Sequence, residues 1–482
     1  MSTGYANGGA STTKKTIRNW NPQHFSPRFD IDEHIDRLRN RANDLVLNDS
    51  VGSAIISTLT TGTIGSGLKL FPRIKADELG MTQEQARLWS RKVKREFNLW
   101  ANNQNACDFL RRNNFFELQA VAFRAMLYDG DCFVLFKRRA PEKLMPYSLR
   151  IQLVDAQRVS NPATGIGNQV EMLLNNNRIV RGIEVDKSGS LVAIHVANRI
   201  WNEPSLINPV IQWQRVLWHG RLSGSPNLLH LCKDQSPDQF RGVPVIAPVI
   251  EALKQLSRYS DAELSASIIR SFFAIFFTQP NTNWRLNEIA DDAVDETAKE
   301  FKIGSPSVTS LPRGLDVKSI DSSNSQSTFA EYTAAFLKNI CAAIGLPAEV
   351  VLKTFNASYS ASRAALLQAE DEFKARRAAF VNDFCRPIYE QFLTEAIALG
   401  RIDAPGFFDD PIRHQAYLNA DWLSQKNNVL DPAKEVQAAI LRINNGLSTK
   451  EIEVANLSGR DYDDIKDNLE NYGADSAGGS LH

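Results

Sequence analysis

The chain has 482 residues, 43% of them hydrophobic and 23% charged, which allows about three domains with genuine cores. Lysine plus arginine and aspartate plus glutamate number 55 each, so the formal net charge is zero. That balance excludes a strongly basic grip on nucleic acid; any meeting with DNA should be loose.

In chain order, residues 1–29 are rich in Ser, Thr, Gly and Asn, with Lys14, Lys15 and Arg18, and read as a disordered arm. From Ile31, IDEHIDRLRNRANDLVLND predicts a helix and SVGSAIISTLT a second, after which TGTIGSG turns the chain into a strand, LKLFP. Thr82 with Gln85 forms a capping box for a helix that places Trp89, Val93, Phe97 and Trp100 on one face. FFELQAVAFRAMLYD predicts another helix, ending at Gly130. Strands then follow to about residue 233: CFVLFKR, LRIQLVD, RIVRGIEVD, SLVAIHVAN, QWQRVLWH and LLHLCK, with DKSG at 186–189 as a hairpin turn. This is an α+β region with a mostly antiparallel sheet.

The stretch from Arg241 to Gly400 organises the rest. Its first helix, starting RGVPVIAPVIEAL, carries Pro244 and Pro248 near its start and runs to the FF at 272–273. A polar insert, Thr278 to Gln326, holds an acidic helix (NEIADDAVDETAKEFK) and a strand (GLDVKSI). A second helix, TFAEYTAAFLKNICAAIG, ends at Gly345. Pro347 prevents its continuation and Ser358 or Ser360 can cap the next helix, so residues 346–358 form a connecting loop. Lys353 is the only basic side chain in its middle. The third helix has Leu366, Phe373, Phe380, Phe384, Ile388 and Phe392 in one stripe, with a kink expected at Pro387 and a C-cap at Gly400. Helices average only about 10–14 residues in globular proteins, so this one serves something beyond a compact core. The last eighty or so residues read as helical, with Asp431 as N-cap before Pro432 and a capping box at Ser448 and Glu451, before a disordered tail.

Few signals for chemistry are present. TGTIGSGLK fails as a phosphate loop because Leu68 separates Gly67 from Lys69, and no GxSxG elbow occurs. His219 and His230 have no carboxylate or thiol at ligand spacing. Asp291, Asp292, Asp295 and Glu296 could hold a hard cation, but an acidic face in solvent or against a basic partner is the simpler reading. The cysteines at 107, 132, 232, 341 and 385 lie far apart without a CxxC pair and read as buried thiols in a reducing compartment. The N-terminus lacks an apolar signal segment, and the run from Ile268 to Phe277 is interrupted by Arg270. It falls short of the roughly 20 residues that a bilayer requires, so no membrane role is expected.

Several segments together resemble the lambda-type family of tailed-phage portal proteins: RNRANDLVLND, IGSGL, the CD of ANNQNACDF, YDGDCFVLF, GIEVDKSGSLVAIHV, DQFRGVPVIAPVIEAL, YSDAEL, NASYSASRAAL and DPAKEVQAAILRINNGLSTKEIE. The resemblance spans about residues 31–470. Two departures stand out: Lys353-Thr354-Phe355 replaces an acidic residue common in the loop before NASYSASR, and Ser236-Pro237-Asp238 replaces an arginine-proline-glycine.

The resemblance implies an α+β portal fold with a wing at 30–240, stem helices at 241–277 and 327–345, and a clip at 278–326. A channel loop at 346–358, a long kinked helix at 359–400, a helical crown at 401–472 and a tail at 473–482 complete it. It further implies a ring, usually of twelve subunits, at one capsid vertex of the virion, built after synthesis in the host cytoplasm. Double-stranded DNA would pass through it during packaging and ejection, without sequence readout. Implied partners are the terminase large subunit, the head–tail connector, and the major capsid and scaffold proteins; no cofactor and no catalysis are implied. Lys353, Thr354 and Asn356 would meet DNA, and Asp291, Asp292, Asp295 and Glu296 would form a docking surface on the clip. The alternative is a metal-dependent nuclease built on the acidic cluster at 291–296.

Overall fold

The computed structural model describes residues 9–23, 25–162, 176–200, 211–272, 325–355, 358–424 and 432–460, with Tyr5, 171–172, 276–278, 316–318, Tyr462 and 465–466. The chain divides into two compact units, Met1–Pro248 with Gly345–His482, and Val249–Ile344.

The first unit opens with helices. A π-helical turn, Arg28–Asp32, precedes α1 (Ile35–Asn48). Asp49 closes α1 and caps α2 (Ser50–Thr63), its carboxylate accepting the Gly52 N–H at 2.8 Å. β1 (Lys69–Pro72) and the short α3 (Ala76–Leu79) lead to α4 (Gln83–Ala101). There the expected capping box is present: Gln85 N donates to Thr82 Oγ1 at 3.2 Å, and Thr82 N donates to Gln85 Oε1 at 2.8 Å. The face bearing Trp89, Val93, Phe97 and Trp100 is buried, as its spacing requires. After α5 (Gln104–Cys107), a second box, Asn114 with Glu117, opens α6 (Phe115–Asp129).

The strands follow as β2 (Asp131–Arg138), β3 (Leu149–Val154), β4 (Glu171–Met172), β5 (Arg178–Val180), β6 (Ile183–Val185), β7 (Leu191–Ala197), β8 (Trp213–Leu217) and β9 (Leu228–Cys232). They form a three-stranded sheet, β3–β2–β9, and a five-stranded sheet, β4–β5–β6–β7–β8, antiparallel throughout. RIVRGIEVD, expected as one strand, is a hairpin. Arg181 and Gly182 have φ of 49° and 84°, the left-handed pair that a two-residue turn demands. The sheets share a core of Phe133, Leu135, Val154, Ile183, Val185, Ile194 and Leu228. Each such buried side chain contributes roughly 1.5–3 kcal/mol over exposure, so this core holds the two sheets together.

The second unit contains α7 (Ile250–Phe272), β10 (Phe276–Thr278), β11 (Asp316–Lys318) and α8 (Ser325–Ile344). Helix α7 therefore starts later than its sequence suggested. Pro244 and Pro248 lie before it, because proline lacks the N–H that a helix interior uses. Phe276 and Phe277, expected to end that helix, instead form a strand paired antiparallel with β11. The α7 and α8 helices pack through Tyr259, whose ring centroid lies 5.3 Å from that of Phe329 and 5.0 Å from that of Tyr332.

The first unit resumes with α9 (Ala348–Leu352), α10 (Tyr359–Phe380), a π-helical turn at Val381–Cys385 and α11 (Arg386–Ala398). The expected irregularity falls in the turn before Pro387, where the ring and missing N–H disturb the preceding bonds. From Phe373 to Phe392 the stripe is buried. It supplies an aromatic core in which Phe392 meets Phe97 at 5.2 Å, Trp100 at 5.5 Å and Tyr147 at 4.7 Å.

The region after Gly400, expected as helical, begins otherwise. Following α12 (Pro411–Leu418), β12 (Ala420–Leu423) pairs antiparallel with β1, and Trp89 Nε1 donates to Asp403 O at 2.8 Å. Residues 401–423 thus contribute to the first unit's core. Then come α13 (Pro432–Asn444) and α14 (Lys450–Ser458), joined by Arg442, whose Nε and Nη2 reach Glu453 at 2.9 and 2.6 Å. The expected cap at Ser448 sits one residue on: Thr449 Oγ1 accepts from Ile452 N at 3.4 Å. Asp431, the expected cap of α13, lies outside the described residues.

Candidate channel loop and a buried charge cluster

The connection expected at 346–358 is less a loop than a short buttressed helix with an exposed tip. Gly345, at φ +85°, breaks the preceding helix, and Pro347 stands as N-cap of α9. Leu346, Ala348 and Val351 are buried, and α9 packs against α2 and α10. At Lys353 the chain turns out of the helix in the left-handed region, φ +55°, with the Lys353 and Thr354 N–H groups both donating to Glu349 O. A lysine there costs roughly 1–2 kcal/mol of backbone strain that a glycine would avoid. Lys353, Thr354 and Phe355 are exposed, Phe355 by 44%. Lys353 has no hydrogen-bond or ion-pair partner among the described residues. Ser358 then caps α10, its hydroxyl accepting from Ala361 N at 3.4 Å. The structure thus brings Lys353 and Thr354 together at one tip. Asn356 lies outside the described residues, as do Asp291, Asp292, Asp295 and Glu296 of the expected docking surface and nuclease site.

The basic side chains of α10 behave differently. Arg376 pairs with Glu372 at 2.7 Å, and Arg377 donates to Thr63 O and Gly62 O at 2.9 and 2.8 Å, where α2 ends. There it meets the negative end of the α2 dipole. These two arginines are structural, whereas Lys374 of the same helix is exposed and pairs with Asp371 at 3.6 Å.

The first unit also holds a buried charge cluster that sequence spacing did not disclose. Asp131 is fully buried; Arg39 Nη2 donates to its Oδ1 at 2.9 Å, while Arg241 Nε and His230 Nε2 lie 2.7 and 3.2 Å from its Oδ2. His230 therefore has a carboxylate partner, contrary to its expected isolation; β2 and β9 place them on adjacent strands. Burial alone would raise the Asp131 carboxyl, but Arg241, Arg39 and the His230 hydrogen bond hold it well below the usual carboxylate range. Arg241 spends its remaining donors on the carbonyls of Val159, Arg181 and Ala156, at 2.9, 2.6 and 2.6 Å. Gly130 and Gly242 cross here so closely that a Cβ on Gly242 would lie 2.0 Å from Gly130 O. Asp129, bound to Asn43 at 3.0 Å, is pushed up to about 7, first by burial and then by Asp155.

The available signal was that RNRANDLVLND, YDGDCFVLF and DQFRGVPV each combine charge with small residues inside apolar runs. They converge on this knot through Arg39, Asp131 and Arg241. Among the described residues, no group of three His, Cys, Asp or Glu is placed to hold a metal ion, and no helix is long and apolar enough to cross a membrane.

This mixed helix-and-sheet chain is similar to phage portal proteins. It is 25% identical over 483 residues to portal protein B of Escherichia phage lambda, covering 95% of this chain and 87% of that one. It is likewise 25% identical over 492 residues to the portal protein of Escherichia phage N15, covering 96% and 88%. A chain in the solved "Neck of empty GTA particle computed with C6 symmetry" aligns over 90% of this chain and 94% of its own, at 14% identity and a TM-score of 0.43. The family described as "Phage portal protein, lambda family" matches residues 13–377, and the chain belongs to it.

Proposed function

We propose that this protein assembles as a closed ring, of twelve subunits in the particle, at one capsid vertex, and that double-stranded DNA passes through it during packaging and ejection. Membership of the lambda portal family supports the ring and the vertex. The observation that carries the channel assignment is the exposed tip at Lys353, raised on a helix whose other face is buried. In a ring, one lysine per subunit makes a collar of weak positive charge. Lysine is a point charge that meets phosphate without reading bases. Each such contact gains by counterion release, so a single lysine per subunit guides DNA where a dense basic lining would brake it. The zero net charge of the chain fits that requirement. The protein acts as conduit and scaffold, with a separate ATPase supplying force.

In the same reading residues 30–240 are wing, the α7 and α8 region is stem, 278–326 is clip and the C-terminal helices face the capsid interior. The clip carboxylates Asp291, Asp292, Asp295 and Glu296 dock the terminase large subunit and the head–tail connector, while major capsid and scaffold proteins meet the wing. Light scattering and electron micrographs of the purified protein test the ring: large closed rings support it, and a small oligomer with metal-dependent DNA cleavage supports a nuclease instead. Reversing Asp291, Asp292 and Asp295 to lysine should keep the ring and weaken terminase or connector binding. Normal binding by those variants would remove the docking role.

A further inference from the structure

Residues 1–29 contain Lys14, Lys15, Arg18 and Arg28 and no aspartate or glutamate, although the chain as a whole is neutral. This stretch, which composition marks as disordered, holds a built turn. Ser11 Oγ accepts the Thr13 and Lys14 N–H groups, both at 3.3 Å, and the Ile17 and Arg18 N–H groups donate to Lys14 O at 3.1 and 2.9 Å. Trp20 N closes the turn on Ile17 O at 3.0 Å. The four-residue spacing in such a turn sets Lys14 and Arg18 on the same side. Lys14, Lys15 and Arg18 are all exposed, and none has a side-chain hydrogen-bond or ion-pair partner among the described residues. Trp20 follows them with 70% of its surface in solvent, a residue type that folding ordinarily covers. Phe25 and Phe29 are each 48% exposed a few residues further on.

We propose that residues 11–29 bind unpaired nucleic acid, with Lys14, Lys15 and Arg18 meeting phosphates and Trp20 stacking on a base. Free cations with no carboxylate beside them gain by counterion release, whatever the base sequence. The exposed indole next to them is a flat platform for a base that a single strand can present; in a duplex the bases are already stacked on one another. A lipid surface fits less well, because Ile17 and Trp20 offer too little apolar surface to enter a bilayer. The site is separate from the Lys353 tip and stands whether or not that tip meets DNA.

The test is fluorescence anisotropy of a labelled thymidylate oligomer with full-length protein carrying Lys353→Gly, so that the tip contributes nothing. Adding Lys14→Ala/Lys15→Ala/Arg18→Ala should weaken binding several-fold and flatten the fall of log affinity with log salt by about 2, at roughly 0.7 for each lost contact. Trp20→Ala should lose about fivefold on thymidylate and nothing on an abasic strand of the same length, and Trp20→Phe should restore most of that loss. Unchanged binding by the triple variant overturns the proposal, and so does an equal loss by Trp20→Ala on both strands. Polyglutamate that displaces the oligomer as well as unlabelled thymidylate does would assign the arm to an acidic protein instead.

Discussion

Asp131 and Lys353 belong to the same unit, and both carry charge, yet they do opposite work. Asp131 is fully buried among Arg39, Arg241 and His230, with the Gly242 N–H as a further donor at 3.2 Å. Lys353 stands exposed at the end of a five-residue helix, in a backbone conformation that lysine seldom adopts. In the first case removal of water makes each charge depend on its partners, so the cluster fixes which segments meet. In the second, solvent screens the charge and the scaffold alone decides where it points. The proposed function uses both: a rigid body around the buried cluster, and at the tip a contact with DNA weak enough to slide.

The contrast can be broken most severely at the knot. Asp131→Ala leaves two guanidinium groups buried without their carboxylate and should cost about 3–5 kcal/mol, read by chemical denaturation. A loss under about 1 kcal/mol would show that the cluster is incidental. Asp129→Asn makes a subtler change. The native carboxyl, raised to about 7, holds its proton where the unfolded chain has released it, so native stability falls as pH rises from near 4 to 7. The variant should lose that slope, gaining on wild type across this window and no further above it. Thermal midpoints at pH 5 and pH 8 check the sign; a parallel offset at both would refute the titration. The smallest effect belongs to the tip: Lys353→Gly relieves the left-handed strain and should raise stability by roughly 1 kcal/mol.

Local structure was legible wherever neighbours in sequence decide it. The capping box at Thr82 and Gln85, the DKSG turn and the stripe from Phe373 to Phe392 were all readable, because each depends on residues a few positions apart. What depends on distant partners was not. ADWL at 420–423 becomes a strand only because Lys69–Pro72 offers it an edge, and no periodicity in four residues announces that. AEVVL looked like loop because its helix is stabilised by burial against α2, almost three hundred residues earlier. The tip itself was half legible: Gly345, Pro347 and Ser358 mark the exit from helix, while the strained lysine that ends α9 was visible only in the backbone. Arg39, Asp131 and Arg241 escaped for the same reason as the strand, since their meeting is wholly tertiary.

The central claim, that the Lys353 tip meets DNA inside the ring, is tested most directly by the length of genome retained in particles built with Lys353→Gly. That variant keeps the left-handed turn while deleting the charge, so a defect cannot be ascribed to a misfolded connection. Rings and procapsids should assemble normally, and the packaged DNA should be shortened or lost from filled heads. Full-length, stably retained genomes would contradict the account, and failure of the rings to assemble would place the tip in the subunit interface instead.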